Sequence, residues 1–523
     1  MVRIPEVTFM NHAKLNHTHG KIRSLSDLAA ALSELKTQGR RIVQCHGVFD
    51  LLHIGHIRHL EQAKQKGDVL LVTITPDRFV NKGPHRPVFN ETLRAEALAA
   101  LACVDYVAIN EWPTAVETIQ LLRPDFYIKG IDEKGEEESR TNGITREAEA
   151  VKEVGGQIIF TQEITFSSSN LINQHFDLFP KDVSDYLAGL PSRYSLDEIL
   201  QYVNNARSLK VLIVGEAIID EYVYCETIGK SGKEPILAAK YLSSEKFAGG
   251  ILAVANNVAA FCDKVGVLTF LGNQHSQEDF IREKLNPKVE KIFLYAEDEP
   301  TIVKRRFVES YPFQKLFELY LMEGDEANLS QTQALCASLR ERLPEYDLVI
   351  VADYGHGMLG AEAAEILCRQ ARFLAVNTQV NAGNQGFHSI SKYHRADYIC
   401  ISEKEMRMEV RSRNKNIRDI VRQVADKLSC DRVTITRGQQ GSLCYNKNEG
   451  FLEIPAFGLR IADRVGAGDT VLAMTALCVA QEAPMEIVGF VGNVVGAQSV
   501  ATIGHRESLK RESVIGHIES LLK

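Results

Sequence analysis

The chain has 523 residues and a mass of 58.3 kDa, enough for about three domains, or two of unequal size, at roughly 150 residues each. Its 45% hydrophobic and 24% charged residues exclude wholesale disorder and fibrous repeats. Sixty basic against sixty-eight acidic side chains leave a net charge of −8, which offers no overall attraction to nucleic acid or to an acidic membrane surface.

No apolar run reaches the ~18 residues of a membrane span; the longest, such as 69–75 and 348–352, are strand-sized. The first twenty residues hold Pro5, Glu6 and three histidines and do not read as a secretory signal. Ten cysteines are scattered without a CxxC pair, mostly within apolar runs. They read as buried, reduced thiols of a cytoplasmic protein.

Residues 1–22 are polar and aperiodic, an arm. Ser24 opens a helix in which Leu25, Leu28, Ala31, Leu32 and Leu35 recur at helical spacing until Gly39. The pattern then predicts a strand at 41–45, a turn at 46–50, a helix at 54–66 and a strand at 69–75. A helix at 91–102 and a strand at 106–109 follow, then a helix at 112–122 and a strand at 126–129. A helix at 144–153 and a strand at 157–161 complete the series. Such alternation implies a parallel α/β sheet over 23–178. Residues 179–207 lack a strand pattern, contain Pro191 and read as a linker with one helix near 196–206. A second α/β series fills 208–523, with strands at 211–214, 267–270, 348–352, 373–377, 398–401 and 433–436. Alternation at Tyr222, Tyr224, Ile236 and Ala238 predicts a small antiparallel flap. The two series do not repeat one another, so two different folds are joined end to end.

In the first series, the segment Cys45-His-Gly-Val-Phe-Asp-Leu-Leu-His-Ile-Gly-His56 runs from a strand through a glycine turn into a helix. Free amides and the positive end of a helix dipole converge there, which suits a triphosphate. His53 and His56 share one face of the first turn, and Gly55 lets a phosphate approach the backbone. Two imidazoles so placed can donate to phosphate oxygens as charge builds on the phosphorus. A His-x-x-His pair also suits a metal, but no third ligand is evident in the sequence. These features resemble the cytidylyltransferase-like nucleotidyltransferases. The resemblance continues through the loop Lys82-Gly-Pro-His-Arg-Pro-Val88, Arg94, the segment from Arg123 to Gly130 with Lys129, Asp132, and the run Phe166-Ser-Ser-Ser-Asn-Leu-Ile172, where Ser168 and Ser169 replace two threonines. It implies a Rossmann-like domain in which a substrate phosphate attacks the α-phosphorus of ATP or CTP and releases pyrophosphate, normally with Mg²⁺. By the same resemblance His53, His56 and Lys129 serve catalysis. Gly47, Phe49, Asp50, Gly55, Lys82, Arg94, Asp132, Ser168 and Ser169 contact the nucleotide.

In the second series, Asp463-Arg-Val-Gly-Ala-Gly-Asp-Thr470 precedes an apolar helical run. Gly466, Ala467 and Gly468 leave amides free to hold a transferring phosphoryl group. Asp469 in the same turn can take the proton of an attacking hydroxyl, although Asp is also a common helix cap. The pattern resembles the ribokinase-like (PfkB) carbohydrate kinases. Gly215 with Asp220, the flap, the pair Gly249-Gly250, Asp353-Tyr-Gly-His-Gly357 and Thr436-Arg-Gly438 agree with it. The resemblance implies a sugar site at Asp220, Gly249, Gly250 and Asn257, a nucleotide site at Thr436, Gly438, Gly466, Ala467 and Gly468, and Glu405 as the metal-linked carboxylate. The lid implies a homodimer. Three departures stand out: Ser402 where the family has Asn before Glu405, Ala253 after the double glycine, and Asn377-Thr-Gln379 in place of Asp-Pro-Lys. Asn377, Gln379, Asn381, Asn384 and Gln385 form an amide-rich stretch, either a polar loop or part of an altered sugar pocket.

A sugar kinase joined to a nucleotidyltransferase resembles the bifunctional heptose 7-phosphate kinase/heptose 1-phosphate nucleotidyltransferases of lipopolysaccharide synthesis, with the domain order reversed. The resemblance implies phosphorylation of a heptose 7-phosphate-like sugar at its anomeric hydroxyl and conversion of a sugar 1-phosphate to an NDP-sugar such as ADP-heptose for surface glycans. The partners implied are a sugar phosphate and a nucleoside triphosphate, with no nucleic acid and no membrane. The alternative is a CTP-dependent polyol-phosphate cytidylyltransferase whose kinase unit is a sensor or dimerisation module.

Overall fold

The computed structural model describes residues 20–83, 86–130, 143–161, 179–323, 327–384, 387–458 and 461–522. The chain divides into two compact units between residues 178 and 179.

In the first unit, short runs rich in Val, Ile and Leu form β1 (Ile42–Gly47), β2 (Val69–Ile74), β3 (Tyr106–Ile109), β4 (Phe126–Gly130) and β5 (Gln157–Thr161). They pair in parallel in the order β3-β2-β1-β4-β5. Alternation sends Val43 and Cys45 to one face, packed with Leu60 and Leu98. It sends Ile42 and Leu71 to the other, packed with Leu28 and Leu32. The helix Leu25–Thr37 starts where expected because the Ser24 hydroxyl accepts the Asp27 amide at 3.1 Å.

The second unit begins earlier than the sequence suggests. Residues 179–207, expected as a linker, form the helices Lys181–Gly189 and Leu196–Asn205. Their Val183, Leu187, Ile199 and Val203 are buried in the unit's main core. Pro191 sits in the 3-10 turn Leu190–Ser192 between them, where its missing amide costs nothing. The second is the helix expected near 196–206; the first buries only Val183 and Leu187, too few for a clear periodic signal.

The unit's main sheet comprises β6 (Lys210–Gly215), β9 (Lys264–Gln274), β10 (Val289–Pro300), β13 (Leu348–Asp353), β14 (Leu374–Thr378), β15 (Tyr398–Ser402), β16 (Arg432–Thr436), β17 (Ser442–Asn446) and β18 (Gly450–Ile454). The order is β10-β9-β6-β13-β14-β15-β16-β17-β18, parallel except for the last two pairings. A second sheet holds β7 (Ala217–Lys230), β8 (Leu237–Gly250), β11 (Ile302–Glu309) and β12 (Gln314–Leu321), in the order β12-β11-β7-β8. The expected flap is therefore two strands of a four-stranded lid. β11 escaped the pattern because Lys304 and Arg306 occupy the face that would be apolar over a core.

Ile199→Ala is expected to destabilise the second unit by about 2–5 kcal/mol, the cost of truncating a buried isoleucine. The far-UV circular dichroism transition should move to lower denaturant, while fluorescence of the single tryptophan, Trp112 of the first unit, keeps its midpoint. An unmoved dichroism transition would contradict a structural role for this segment.

Candidate functional sites

In the first unit, strand order reverses between β1 and β4. Connections leave those strands toward opposite faces, and the crevice beyond their carboxyl ends is where such sheets bind ligands. The helix Ile54–Lys64 starts there with His53 as its cap. His53 Nδ1 accepts the Gly55 amide at 3.1 Å. The proton of the neutral ring is thereby placed on Nε2, which is buried without a partner among the described residues. His56 lies against it with ring centroids 3.9 Å apart and also has an unpartnered buried nitrogen, Nδ1. Phe49, closely packed over Gly47, meets the His56 ring edge-on at 5.3 Å.

Burial, helped by His53, His59 and Lys82, pushes the His56 ring down to about 3, and burial lowers His53 too. Both rings are neutral at pH 7. An incoming polyanion would favour their charged forms, against the burial that opposes them. Lys129, near the end of β4, pairs with buried Glu147 at 2.9 Å, which fixes a cation on the same side of the crevice. His59, a further turn along the same helix, bonds Thr161 at 2.8 Å. The sequence carried that signal as a third histidine at the same spacing, and it was missed.

Two expected nucleotide contacts do other work. Arg94 is 1% exposed. Its Nε donates to the Phe89 carbonyl at 3.0 Å, and its remaining nitrogens reach the Thr75 and Val48 carbonyls and the Asp77 carboxylate. These acceptors engage every guanidinium nitrogen, so Arg94 holds the turn after β1 in place instead of facing a ligand. Asp50 is buried and accepts from Arg86 and the Val88 amide, which pins the end of the 82–88 loop. Asp132, Ser168 and Ser169 lie outside the described residues.

In the second unit the order reverses between β6 and β13, and the same argument places a crevice beyond Gly215 and Asp353. A cavity of about 350 Å³ lies there, walled by Asp220, Gly250, Lys304, Arg306, Glu405 and Asp469. A neighbouring cavity of about 700 Å³ is lined by Thr436, Gly438, Ala467, Val471 and Asn493. The two share Thr436, Arg464 and Gly468. The helix Ala467–Ala480 starts at that junction, and its first-turn amides lack intrahelical acceptors. Gly466 has φ +80°, and a Cβ there would fall 1.9 Å from the His505 ring, so no other residue fits.

Asp469 is 6% exposed. Its Oδ1 accepts from both the Tyr354 hydroxyl at 2.9 Å and Gln379 Nε2 at 2.7 Å. Oδ2 has no protein donor among the described residues. Burial raises the carboxyl to about 6 against the opposing pull of His505. The amide-rich stretch now divides. Gln379 steadies Asp469, whereas Asn381 and Asn384 donate to the Tyr354 carbonyl at 2.8 and 2.9 Å and hold that loop; Gln385 lies outside the described residues.

Asp220 is ion-paired with Arg306. A Cβ on Gly249 would lie 2.1 Å from its Oδ2, which explains the first glycine of the pair. Asn257 is not on the cavity wall. It donates to Thr470 Oγ1 at 3.2 Å and accepts the Leu509 amide at 2.9 Å, tying helices together behind the site. Glu405 faces the cavity, with Oε2 taking the Ser402 amide and hydroxyl at 2.8 and 2.7 Å and Oε1 taking the Val380 amide at 3.1 Å. Ser402, the departure from Asn, thus forms a capping box with it.

The model of the pfkB family carbohydrate kinases matches residues 208–512, and the cytidylyltransferase-like model matches residues 45–174. Among curated relatives, the bifunctional protein HldE of Geotalea uraniireducens is 38% identical over 172 residues, 31% of this chain and 33% of that protein. HldE of Helicobacter pylori strain 26695 is 44% identical over 120 residues, 23% of this chain and 25% of that one. The likeness lies in the cytidylyltransferase region, so the chain spans about a third or less of the relatives it matches. Phosphofructokinase-2 from Escherichia coli in complex with fructose-6-phosphate superposes with a TM-score of 0.50 at 14% identity, over 60% of this chain and 100% of that one, a likeness of fold.

Arg94→Met is expected to lower the stability of the first unit by about 1–3 kcal/mol, because it leaves the Thr75 and Val48 carbonyls without their donor. Denaturant unfolding followed by Trp112 fluorescence measures it. An unchanged midpoint would return Arg94 to the role the sequence suggested.

Proposed function

This chain belongs to the pfkB family of carbohydrate kinases, and from that premise we propose a bifunctional sugar-activating enzyme with one reaction in each unit. The kinase unit transfers the γ-phosphoryl group of ATP to the anomeric hydroxyl of a heptose 7-phosphate-like sugar. The other transfers a nucleotidyl group from ATP or CTP to a sugar 1-phosphate, giving an NDP-sugar and pyrophosphate. The HldE relatives support this reading through the first unit and the family match through the second. The observation that carries it is Asp469, one oxygen tethered and the other free, in the turn whose amides stand where the two cavities meet.

In the kinase step the acceptor hydroxyl lies against Asp469 Oδ2 and gives up its proton there as its oxygen bonds to the γ-phosphorus. The bond to the β–γ bridging oxygen breaks, and ADP leaves. The amides of Gly468 and Asp469 face the charge on the transferring oxygens. In the transferase step a phosphate oxygen of the sugar attacks the α-phosphorus and pyrophosphate departs. No protein nucleophile is needed, so the unit's work is positioning and neutralisation. His53 Nε2 donates to the phosphate oxygens. His56 does the same through the one N–H of its neutral ring, while Lys82 and Lys129 neutralise the chain of phosphates.

Mg²⁺ would be held chiefly by the triphosphate, as it commonly is, and would shield phosphate charge. Among the described residues no group of three or more His, Cys, Asp or Glu could hold a metal by itself. Glu405 fits a supporting part only, since both its oxygens already accept backbone amides. Exposed Ile228, Leu237, Tyr241, Phe317 and Leu319 on the lid strands support a homodimer formed through the lid. Free cysteines throughout, and no helix among the described residues long and apolar enough to cross a membrane, are compatible with work in the cytoplasm. The tethered, accessible carboxylate of Asp469 favours an active kinase over a sensor.

Asp469→Asn is expected to abolish sugar phosphorylation and leave pyrophosphate release unchanged, each followed in its own coupled assay; joint loss would refute separate sites. His56→Ala is expected to slow nucleotidyl transfer by about 10²–10³-fold, as losing a transition-state donor does. The base must be ionised to accept a proton, so kcat/KM of the kinase should fall as pH drops through about 6. A flat profile from pH 5 to 8 would exclude Asp469 as the base.

A further inference from the structure

The acceptor cavity of the second unit carries a cation that phosphoryl transfer leaves without a task. Lys304 and Arg306 stand two residues apart on β11 and so face the same way, and both line the cavity. Arg306 is committed: its guanidinium pairs with Asp220 and with Glu318 at 3.2 Å. Lys304 is 7% exposed and enters no ion pair with a carboxylate within 4.0 Å among the described residues. Its ammonium lies over the rings of Tyr320, 5.1 Å from the centroid, and Tyr354, 5.9 Å away.

A buried ammonium without a counter-ion is costly, and the two aromatic faces offset only part of that cost. The neighbouring carboxylates are engaged elsewhere. Asp220 belongs to Arg306, and Glu216 accepts the Tyr354 and His356 amides at 3.0 Å each. Asp220, Glu318 and Glu216 still attract the ammonium from a distance, although burial outweighs them, so an anionic ligand would supply the close contact that no described carboxylate of the cavity makes. It is not the transferring phosphoryl group, because that group is met at the helix start shared by both cavities, and Lys304 lines only the acceptor cavity.

We propose that Lys304 binds an anionic group on the acceptor itself and so selects sugars that already carry a phosphate over neutral sugars. This rests on the kinase reading of the second unit. It adds the residue that reads the phosphate distal to the reacting hydroxyl.

The test is calorimetric titration of the full chain and of Lys304→Met with two probes, D-glycero-D-manno-heptose 7-phosphate and the same heptose without phosphate. The intact protein should bind the phosphorylated probe about 10–100-fold more tightly, the worth of one hydrogen bond to a charged group. Lys304→Met should erase the preference by weakening only that probe, with ATP affinity unchanged, and Lys304→Arg should recover part of it. Inorganic phosphate should compete with the phosphorylated probe in the intact protein and not in Lys304→Met. Dichroism confirms that each variant folds, and Lys304→Gln replaces Lys304→Met should the latter not fold.

Equal affinity for both probes, binding of neither, or a preference that survives removal of the lysine would overturn the proposal. So would a variant that lowers kcat equally with every acceptor, which would assign Lys304 to the transferring group. Selective binding through Lys304 without ATP-dependent turnover would leave this assignment standing and refute only the kinase reading.

Discussion

A parallel sheet whose strand order reverses must open a crevice, because the connections on either side of the reversal run to opposite faces. Both units obey this constraint, at β1/β4 and at β6/β13. Each fills its crevice with the start of a helix whose first-turn amides have no intrahelical acceptor. The rest of each site is arranged around those amides. The first unit adds two adjoining imidazoles, tilted by 33° to each other, and a paired lysine. The second adds a carboxylate in the helix turn itself and a lid that brings cations over it.

Desolvation is the first cause of the shifted titrations in both sites, and in opposite directions. It lowers His56 to about 3 and raises Asp469 to about 6. In each case burial works against the charged form of the group. The two consequences differ because the chemistry differs. A neutral imidazole keeps one N–H to donate without bringing a buried charge of its own. A carboxylate near 6 stays ionised at neutral pH while remaining a better proton acceptor than an ordinary aspartate. Tyr354 and Gln379 are suited to this because they are neutral donors: they orient Oδ1 without the strong depression a cation in the same place would cause.

Much of this was legible in the residues. Periodicity alone located the strands that build both crevices, since each is a short buried apolar run between polar turns. The helix start itself was legible, because two glycines before an apolar run mark a turn with free backbone into a helix, and the structure begins the helix Ala467–Ala480 there. What failed was part of the judgement on which way polar side chains point: Asp220 and Glu405 line the cavity as expected, others do not. Arg94 and Asn257 sit where a ligand contact is expected, yet turn inward to satisfy backbone groups. Lys304 lies in a strand whose charges disguise it as a loop, because its inner face meets a polar cavity in place of a core. In the segment 179–207 the helix near 196–206 was legible, whereas Lys181–Gly189, with two buried residues, carries little period to read.

Asp463 shows why the lid and the helix start act as one structure. It is conspicuous in the sequence beside the glycines, as though it were a second chemical group. Instead it accepts the Tyr222 hydroxyl of β7 at 2.6 Å, the Lys315 ammonium of β12, and the Val465 and Gly504 amides at 3.1 Å each. Burial opposes its ionisation, but Lys315 and the Tyr222 hydroxyl outweigh burial and hold the carboxyl below its usual range. Its charge is therefore spent within the protein. That expenditure joins two lid strands to the turn that presents the Gly468 and Asp469 amides, so the cations carried by the lid and the amides of the helix keep a fixed separation. A site that transfers a group between two bound molecules needs that separation set before either arrives.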